Sequence, residues 1–277
     1  MSDTIFNRRY SDILERNGSR LCVGLDTDIS TLPEAVRNHP NPIFEFNRRI
    51  IEATADLCCA YKMNLAFYES AGEAGIDALL RTMEIIPEDL LTIGDAKRGD
   101  IGNTAERYAS SLYEHFGFDA VTVNPYMGMD SLRPFFAYQG KCVIVLALTS
   151  NPGSNDFQRL IVDGKPLYRR VVERCMEEYG ADNGIGFVVG ATHPGELAEL
   201  RVAVGNDVPL LIPGLGTQGG DAAATTRANN GGIAFFNVSR GISGAGKGDD
   251  FAERARAAAM RFVEELLEPG NGQPAEA

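Results

Sequence analysis

Histidine is scarce, with three in 277 residues, and no two of them stand at the spacing of a helix-borne or finger-type metal site, so a histidine-based metal centre is not expected. The five cysteines are odd in number. Cys22, Cys58, Cys59 and Cys142 sit inside apolar runs rather than at ligand spacings, which reads them as small buried hydrophobes. Positive charge is short as well. With 26 Lys and Arg against 38 Asp and Glu the net charge is -12, and no basic stripe offers itself to a phosphate backbone, so nucleic-acid partners are excluded. No stretch approaches the roughly 20 apolar residues that a membrane span needs. The opening segment MSDTIFNRRYSDILERNGSR has no apolar signal core. No membrane partner is expected, and the expected location is the cytoplasm.

What the chain has instead is a repeated pattern. Eight short, near-continuous apolar runs occur, at 21–25, 58–65, 90–96, 119–124, 141–148, 184–189, 208–213 and 233–238. Such runs read as strands buried on both faces of a parallel sheet. Between them lie segments of helical period, among them those starting at Ile43, Ile101, Pro166 and Asp250. Eight strand–helix units predict an α/β fold, a closed TIM (β/α)8 barrel, and barrels of about 250 residues form one domain. A doubly wound open sheet is the competing arrangement of the same pattern. The barrel domain is expected over residues 1–267, with an extra helix over 4–17 before the first strand. The polar Pro/Gly-rich tail, 268–277, is expected to be disordered.

A barrel builds its active site at the C-terminal ends of its strands, so polar residues that end or interrupt the apolar runs are the candidates. They are Asp26 on the first strand, Lys62 and Asn64 on the second, the DAKRGD segment on the third, Thr149 and Ser150 on the fifth, and Ser239 and Arg240 on the eighth. Asp95 and Lys97 are two apart, so on an extended strand they share a side. An ammonium beside carboxylates is stabilised in its charged form, which suits Lys97 to give a proton rather than take one. Asp100 has an alternative role as a cap for the helix expected near Ile101. The GLGTQG segment, Gly214–Gly219, has the outline of a dinucleotide fingerprint but belongs to the seventh unit and is followed by no acidic strand end. The loops after strands seven and eight of a barrel often hold phosphate, and Arg240 offers a bidentate charge there. GISGAGKG, from Gly241, lacks the Ser or Thr of a P-loop after its lysine and reads as a loop into the last helix. His193 reads as structural, and Tyr126 and Met127 as packing residues near the rim.

The segments LCVGLDTD, AYKMNLAFYE, DAKRGDIGNT, VTVNPYMG, LTSNPGS, IPGLGTQGGD and NVSRGI, in this order, resemble the orotidine 5′-phosphate decarboxylase family, in particular its longer bacterial subgroup (type 2). The resemblance spans nearly the whole chain. It implies cofactor-free decarboxylation of orotidine 5′-phosphate to uridine 5′-monophosphate, a step of pyrimidine biosynthesis, with Lys97 protonating C6. It implies an alternating network of Lys62, Asp95, Lys97 and Asp100, in which Asp100 reaches in from the partner of a homodimer, accompanied across the interface by Ile101 and Thr104. Asp26 and Lys62 are implied at the ribose hydroxyls, Ser150 at the pyrimidine edge, Gln218 and Arg240 at the phosphate, and Pro213, Gly219 and Ser239 also at the substrate. Met63 departs from the proline more usual before Asn64, at a position that makes none of these contacts.

Two other functions fit parts of the pattern. Related barrels acting on sugar phosphates share DxKxxD, but they need magnesium held by a carboxylate at the end of strand two, where this chain has Lys62, and a lysine repels the metal. A non-catalytic nucleotide sensor would keep the barrel, since fold does not fix function. Nucleotide binding alone does not require both lysines and both aspartates.

Overall fold

The computed structural model describes residues 4–216 and 219–267. The expected disordered tail, 268–277, and Gln218 therefore lie outside the described residues. Eight parallel strands form the barrel: β1 (Leu21–Gly24), β2 (Ala60–Asn64), β3 (Leu91–Arg98), β4 (Ala120–Val123), β5 (Cys142–Leu148), β6 (Ile185–Val189), β7 (Leu210–Pro213) and β8 (Ala234–Val238). The sheet closes because β1 pairs with β2 on one side and β8 on the other. Seven of the apolar runs anticipated from the sequence contain one of these strands, the run at 90–96 covers all but the last two residues of β3, and closure rules out the open sheet.

Helices α1 (Ile5–Asn17), α2 (Pro42–Thr54), α3 (Gly72–Ile85), α4 (Gly102–Ser110), α5 (Leu167–Glu178), α6 (Pro194–Val204), α7 (Ala222–Asn229) and α8 (Phe251–Leu266) surround the sheet. The fourth unit is the exception, with a one-turn helix, Met129–Leu132, and a 3-10 stretch, Arg133–Ala137, in place of a long helix. The β5–α5 connection carries a small antiparallel hairpin, Ile161–Val162 with Lys165–Pro166. The sequence pattern gave no sign of it, because two-residue strands have no period to read.

The expected first helix, α1, is a plug for the N-terminal mouth of the barrel. Thr4 caps it by accepting the Asn7 N–H, and Gly18 ends it in the left-handed conformation that a side chain disfavours. Its buried face sends Phe6 and Tyr10 against Phe235, with ring centroids 6.0 and 5.2 Å apart. The Tyr10 hydroxyl donates to the Ala234 carbonyl at 2.9 Å, at the first residue of β8. With the bottom sealed by aromatic and aliphatic side chains, the opposite mouth is left to carry polar chemistry. Among the described residues no helix is long and apolar enough to cross a membrane.

Candidate active site

The strands β1, β2 and β3 bring three charged residues together. Gly24 pairs with Lys62 and Asn64 with Asp95, so Asp26, two residues past β1, Lys62 in the middle of β2 and Asp95 within β3 come within ion-pair reach. Lys62 Nζ stands 3.1 Å from Asp26 Oδ1 and 3.2 Å from Asp95 Oδ2. Asp95 Oδ1 takes Lys97 Nζ at 2.5 Å and the Thr122 hydroxyl at 3.0 Å. The chain of charges alternates: Asp26, Lys62, Asp95, Lys97.

Burial opposes the charges of Lys62 and Asp95, and their partners decide the outcome. Burial disfavours the Lys62 ammonium, yet the attraction of Asp26 and Asp95 outweighs it and holds Lys62 above the usual lysine range. Burial likewise raises Asp95, but Lys62, Lys97 and the Thr122 hydroxyl more than offset it, and Asp95 falls from 3.8 to about 2. Lys62 is therefore a fixed cation and Asp95 a fixed anion at neutral pH. Lys97, by contrast, is exposed at the rim.

Lys97 does not reach Asp95 from a regular strand. Its φ is 50°, in the left-handed region, a conformation costing an L-residue about 1–2 kcal/mol. The β3–β4 ladder slips at the same place: Gly94 pairs with Val121 and Arg98 with Val123. The shared side expected for Asp95 and Lys97 is thus reached through a bulge rather than by simple alternation. Asp100 behaves differently from its expected capping role. Its carboxylate accepts the N–H of Ile101 at 2.8 Å, but α4 begins at Gly102, and Ile101, at its N-cap, makes no side-chain cap.

The surrounding loops are tied down by buried polar links. Tyr68 donates to the Leu25 carbonyl at 2.8 Å, and Asn47 joins Tyr68 and Thr27, so both neighbours of Asp26 are anchored. Gly24 is required for close approach: a Cβ there would lie 2.0 Å from the Ser239 hydroxyl. Thr149 is pinned from backbone and side chain by the Gln158 amide, which fixes the start of the loop holding Ser150.

These residues line a cavity of about 580 Å³ at the strand ends, a volume suited to a small-molecule substrate. Of the candidates read from the sequence, Asp26, Lys62, Asn64, Asp95, Lys97, Thr149, Ser150, Pro213, Ser239 and Arg240 face it. Asp100, Ile101, Thr104 and Gly219 do not line it, and Gln218 is outside the described residues. Sequence reasoning missed Asn237, Asn151, Asp28, Thr31 and Phe67. Asn237 interrupts the apolar run of β8 as Lys62 does that of β2, so its signal was available.

Other expectations change in detail. Tyr126 and Met127 do not pack inside this chain, being 83% and 48% exposed. The loop expected from Gly241 instead starts within a one-turn helix, Arg240–Ser243, before the chain reaches α8. His193 accepts from Arg159 through Nδ1 at 3.1 Å and does not line the cavity, in keeping with a structural role. The buried cysteines are all free.

Known proteins share both the sequence and the shape. The family model described as "Orotidine 5'-phosphate decarboxylase / HUMPS family" matches residues 19–255. An orotidine 5′-phosphate decarboxylase of Herpetosiphon aurantiacus is 44% identical over 260 residues, covering 94% of this chain and 97% of its relative. That of Cupriavidus metallidurans is 47% identical over 265 residues, with the same two coverages, 94% and 97%. Among solved structures, the Leishmania donovani OMP decarboxylase superposes with a TM-score of 0.80 at 37% identity, covering 96% of this chain and 97% of its own. A protein from Toxoplasma gondii described as a putative orotidine-monophosphate-decarboxylase gives 0.83 at 39% identity, covering 94% and 96%. With a matching model across the barrel and relatives of this identity along nearly its full length, the chain belongs to the orotidine 5′-phosphate decarboxylase / HUMPS family.

Proposed function

We propose that the chain decarboxylates orotidine 5′-phosphate to uridine 5′-monophosphate and CO2 in pyrimidine biosynthesis, with Lys97 delivering the proton to C6. The observation that carries this reading is the Asp26–Lys62–Asp95–Lys97 chain at the cavity, in which a buried lysine stands between two carboxylates and a second lysine extends into the open space. The bond from C6 to the carboxylate carbon breaks and its electron pair stays on C6 as CO2 leaves. That charge is poorly delocalised in the ring, and a fixed ammonium offsets it as it develops. The Lys97 ammonium then gives its proton to C6, and the resulting amine regains one from solvent. Asp95 holds Lys97 in place through the 2.5 Å contact.

Around this centre, Asp26 and Lys62 serve the ribose hydroxyls, Ser150 the pyrimidine edge, and Arg240 the phosphate, together with Gln218 and Gly219. Pro213 and Ser239 complete the wall. Binding energy from the distant phosphate is available to orient the reacting carbon. The sugar-phosphate alternative needs a cation other than lysine among these carboxylates, and the Lys62 ammonium already stands between Asp26 and Asp95. The reaction is assigned no cofactor.

The functional unit is a homodimer in which Asp100, Ile101 and Thr104 complete the partner's site. Supporting this, they lie outside their own cavity. Ile101 is 55% exposed and Tyr126 and Met127 are 83% and 48% exposed, on the loops after adjacent strands β3 and β4, apolar surface of the kind that interfaces cover. The barrel, taken as residues 1–267, works as one domain. A cytoplasmic location fits a phosphorylated substrate that does not cross membranes unaided.

The test is stoichiometry. Purified protein given orotidine 5′-phosphate is expected to release one CO2 and one uridine 5′-monophosphate per substrate consumed. Tight binding without product formation makes it a nucleotide sensor instead.

A further inference from the structure

We infer that Thr122 is a positioning residue for Lys97, a clasp that holds the proton donor in its left-handed backbone conformation; this rests on the decarboxylase reading above. Thr122 sits on β4, fully buried, and does not line the cavity. The slip in the β3–β4 ladder leaves Asp95, Ala96 and Lys97 opposite Thr122 alone. In that gap the backbone N–H of Lys97 donates to the Thr122 hydroxyl oxygen at 2.9 Å. The same hydroxyl donates its hydrogen to Asp95 Oδ1 at 3.0 Å, the oxygen that accepts Lys97 Nζ at 2.5 Å.

These contacts close a ring that runs from the Lys97 backbone through the Thr122 hydroxyl to the Asp95 carboxylate and back to the Lys97 ammonium. One hydroxyl accepts and donates at once, a capacity valine lacks although its shape is the same. The ring ties the strained φ of 50° to the direction of the carboxylate that aims the ammonium. A strained conformation persists only where its surroundings hold it, and here the Thr122 hydroxyl pairs the Lys97 N–H itself. Without the hydroxyl, the Lys97 N–H is left unpaired beside a buried carboxylate that has lost one donor. The backbone then relaxes, and Lys97 Nζ leaves its place relative to C6.

Thr122→Val, Thr122→Ser and the unaltered protein are to be compared by steady-state kinetics, affinity for uridine 5′-monophosphate and circular dichroism. Misplacement of a catalytic group by about 1 Å costs on the order of 100-fold, so Thr122→Val is expected to lower kcat by about 10- to 100-fold. KM and product affinity are expected to hold within about twofold, because the groups assigned to the ribose, the pyrimidine edge and the phosphate are not altered. Thr122→Ser keeps the hydroxyl and is expected to retain kcat within about threefold even if it melts earlier. A folded Thr122→Val enzyme with unchanged kcat overturns the inference, as does a Thr122→Ser enzyme as slow as Thr122→Val. Where Thr122→Val fails to fold, Thr122→Ser decides, and a kcat loss of about tenfold or more in it overturns the clasp. An unaltered protein inert toward orotidine 5′-phosphate overturns the proposed function and the clasp with it, whereas an active one beside an equally active Thr122→Val overturns the clasp alone.

Discussion

Two buried cations among the described residues, Lys62 and Arg201, lie towards opposite ends of the barrel, which treats them oppositely. At the C-terminal mouth Lys62, 2% exposed, is held by the carboxylates of Asp26 and Asp95. At the N-terminal side Arg201, equally 2% exposed, is held by neutral oxygens: the carbonyls of Gly205, Val208 and Ile233, and the Asn229 side chain. Burial pulls Arg201 down to about 10, while the carboxylates keep Lys62 above the ordinary lysine range against the same burial. The guanidinium fork spends its donors on the Gly205 and Val208 carbonyls and adds a second donor to the Ile233 carbonyl, which already accepts from Leu210, stitching the entries of β7 and β8. The Lys62 ammonium instead fixes the charges of its neighbours. One cation serves architecture and the other chemistry, and the difference lies in whether the partners are carbonyls or carboxylates.

The sharpest way to break this contrast is at the rim. Lys97→Ala is expected to lose turnover by on the order of 1,000-fold or more while the circular dichroism spectrum is unchanged; full activity in this variant removes the chemical half of the comparison. Asp100→Ala is expected to lose activity strongly on its own. Mixed with Lys97→Ala it is expected to recover up to about a quarter of it, as random exchange of protomers gives hybrid dimers with one intact site. No recovery after verified subunit exchange, or a fully active monomer in sedimentation, contradicts a shared site.

The architectural half makes the opposite demand. Arg201→Met is expected to lower stability by about 3–5 kcal/mol, because several buried acceptors lose their donors at once. kcat per folded molecule is expected to stay within about twofold, as judged by thermal melts beside kinetics. If Arg201→Met slows catalysis without destabilising the fold, the two ends are not separable. Arg240→Ala is expected to raise KM by about 10- to 100-fold through loss of charge-assisted phosphate contacts, with little effect on the melt. An unchanged KM shows that the phosphate lies elsewhere.

The smallest effect concerns acid. Asp95 is held at about 2 against an ordinary 3.8, so its contribution to stability is fully present above about pH 4 and is lost as pH falls through the folded value. The stability difference between the unaltered protein and Asp95→Asn is therefore expected to narrow between pH 3.8 and 2. A difference that is flat across this range contradicts the anionic assignment of Asp95.

The eight strands were legible because burial on both faces leaves continuous apolar runs, and Lys62 and Asp95 were legible because a charge inside such a run has few bland explanations. Thr122 was not, since threonine in VTV reads as an ordinary β-former. The left-handed backbone of Lys97 left no trace either, because a non-glycine residue there depends on a neighbouring strand. Asp28, Thr31 and Phe67 come from short turns and one-turn helices whose placement follows tertiary packing rather than periodicity. Tyr126 and Met127 read as packing residues near the rim by residue type, and only the structure shows them exposed. Asp100 was picked out by the resemblance, but one chain by itself does not bring it to the cavity.

The central claim is that a lysine ammonium alone, set by its carboxylate neighbours, meets the charge left on C6. The direct measurement is the ultraviolet loss of orotidine 5′-phosphate with the unaltered protein and with Lys97→Ala, each with and without EDTA. The account predicts turnover by the unaltered protein that EDTA does not change, and essentially none by Lys97→Ala. Undiminished turnover by Lys97→Ala, or its abolition by EDTA in the unaltered protein, contradicts it.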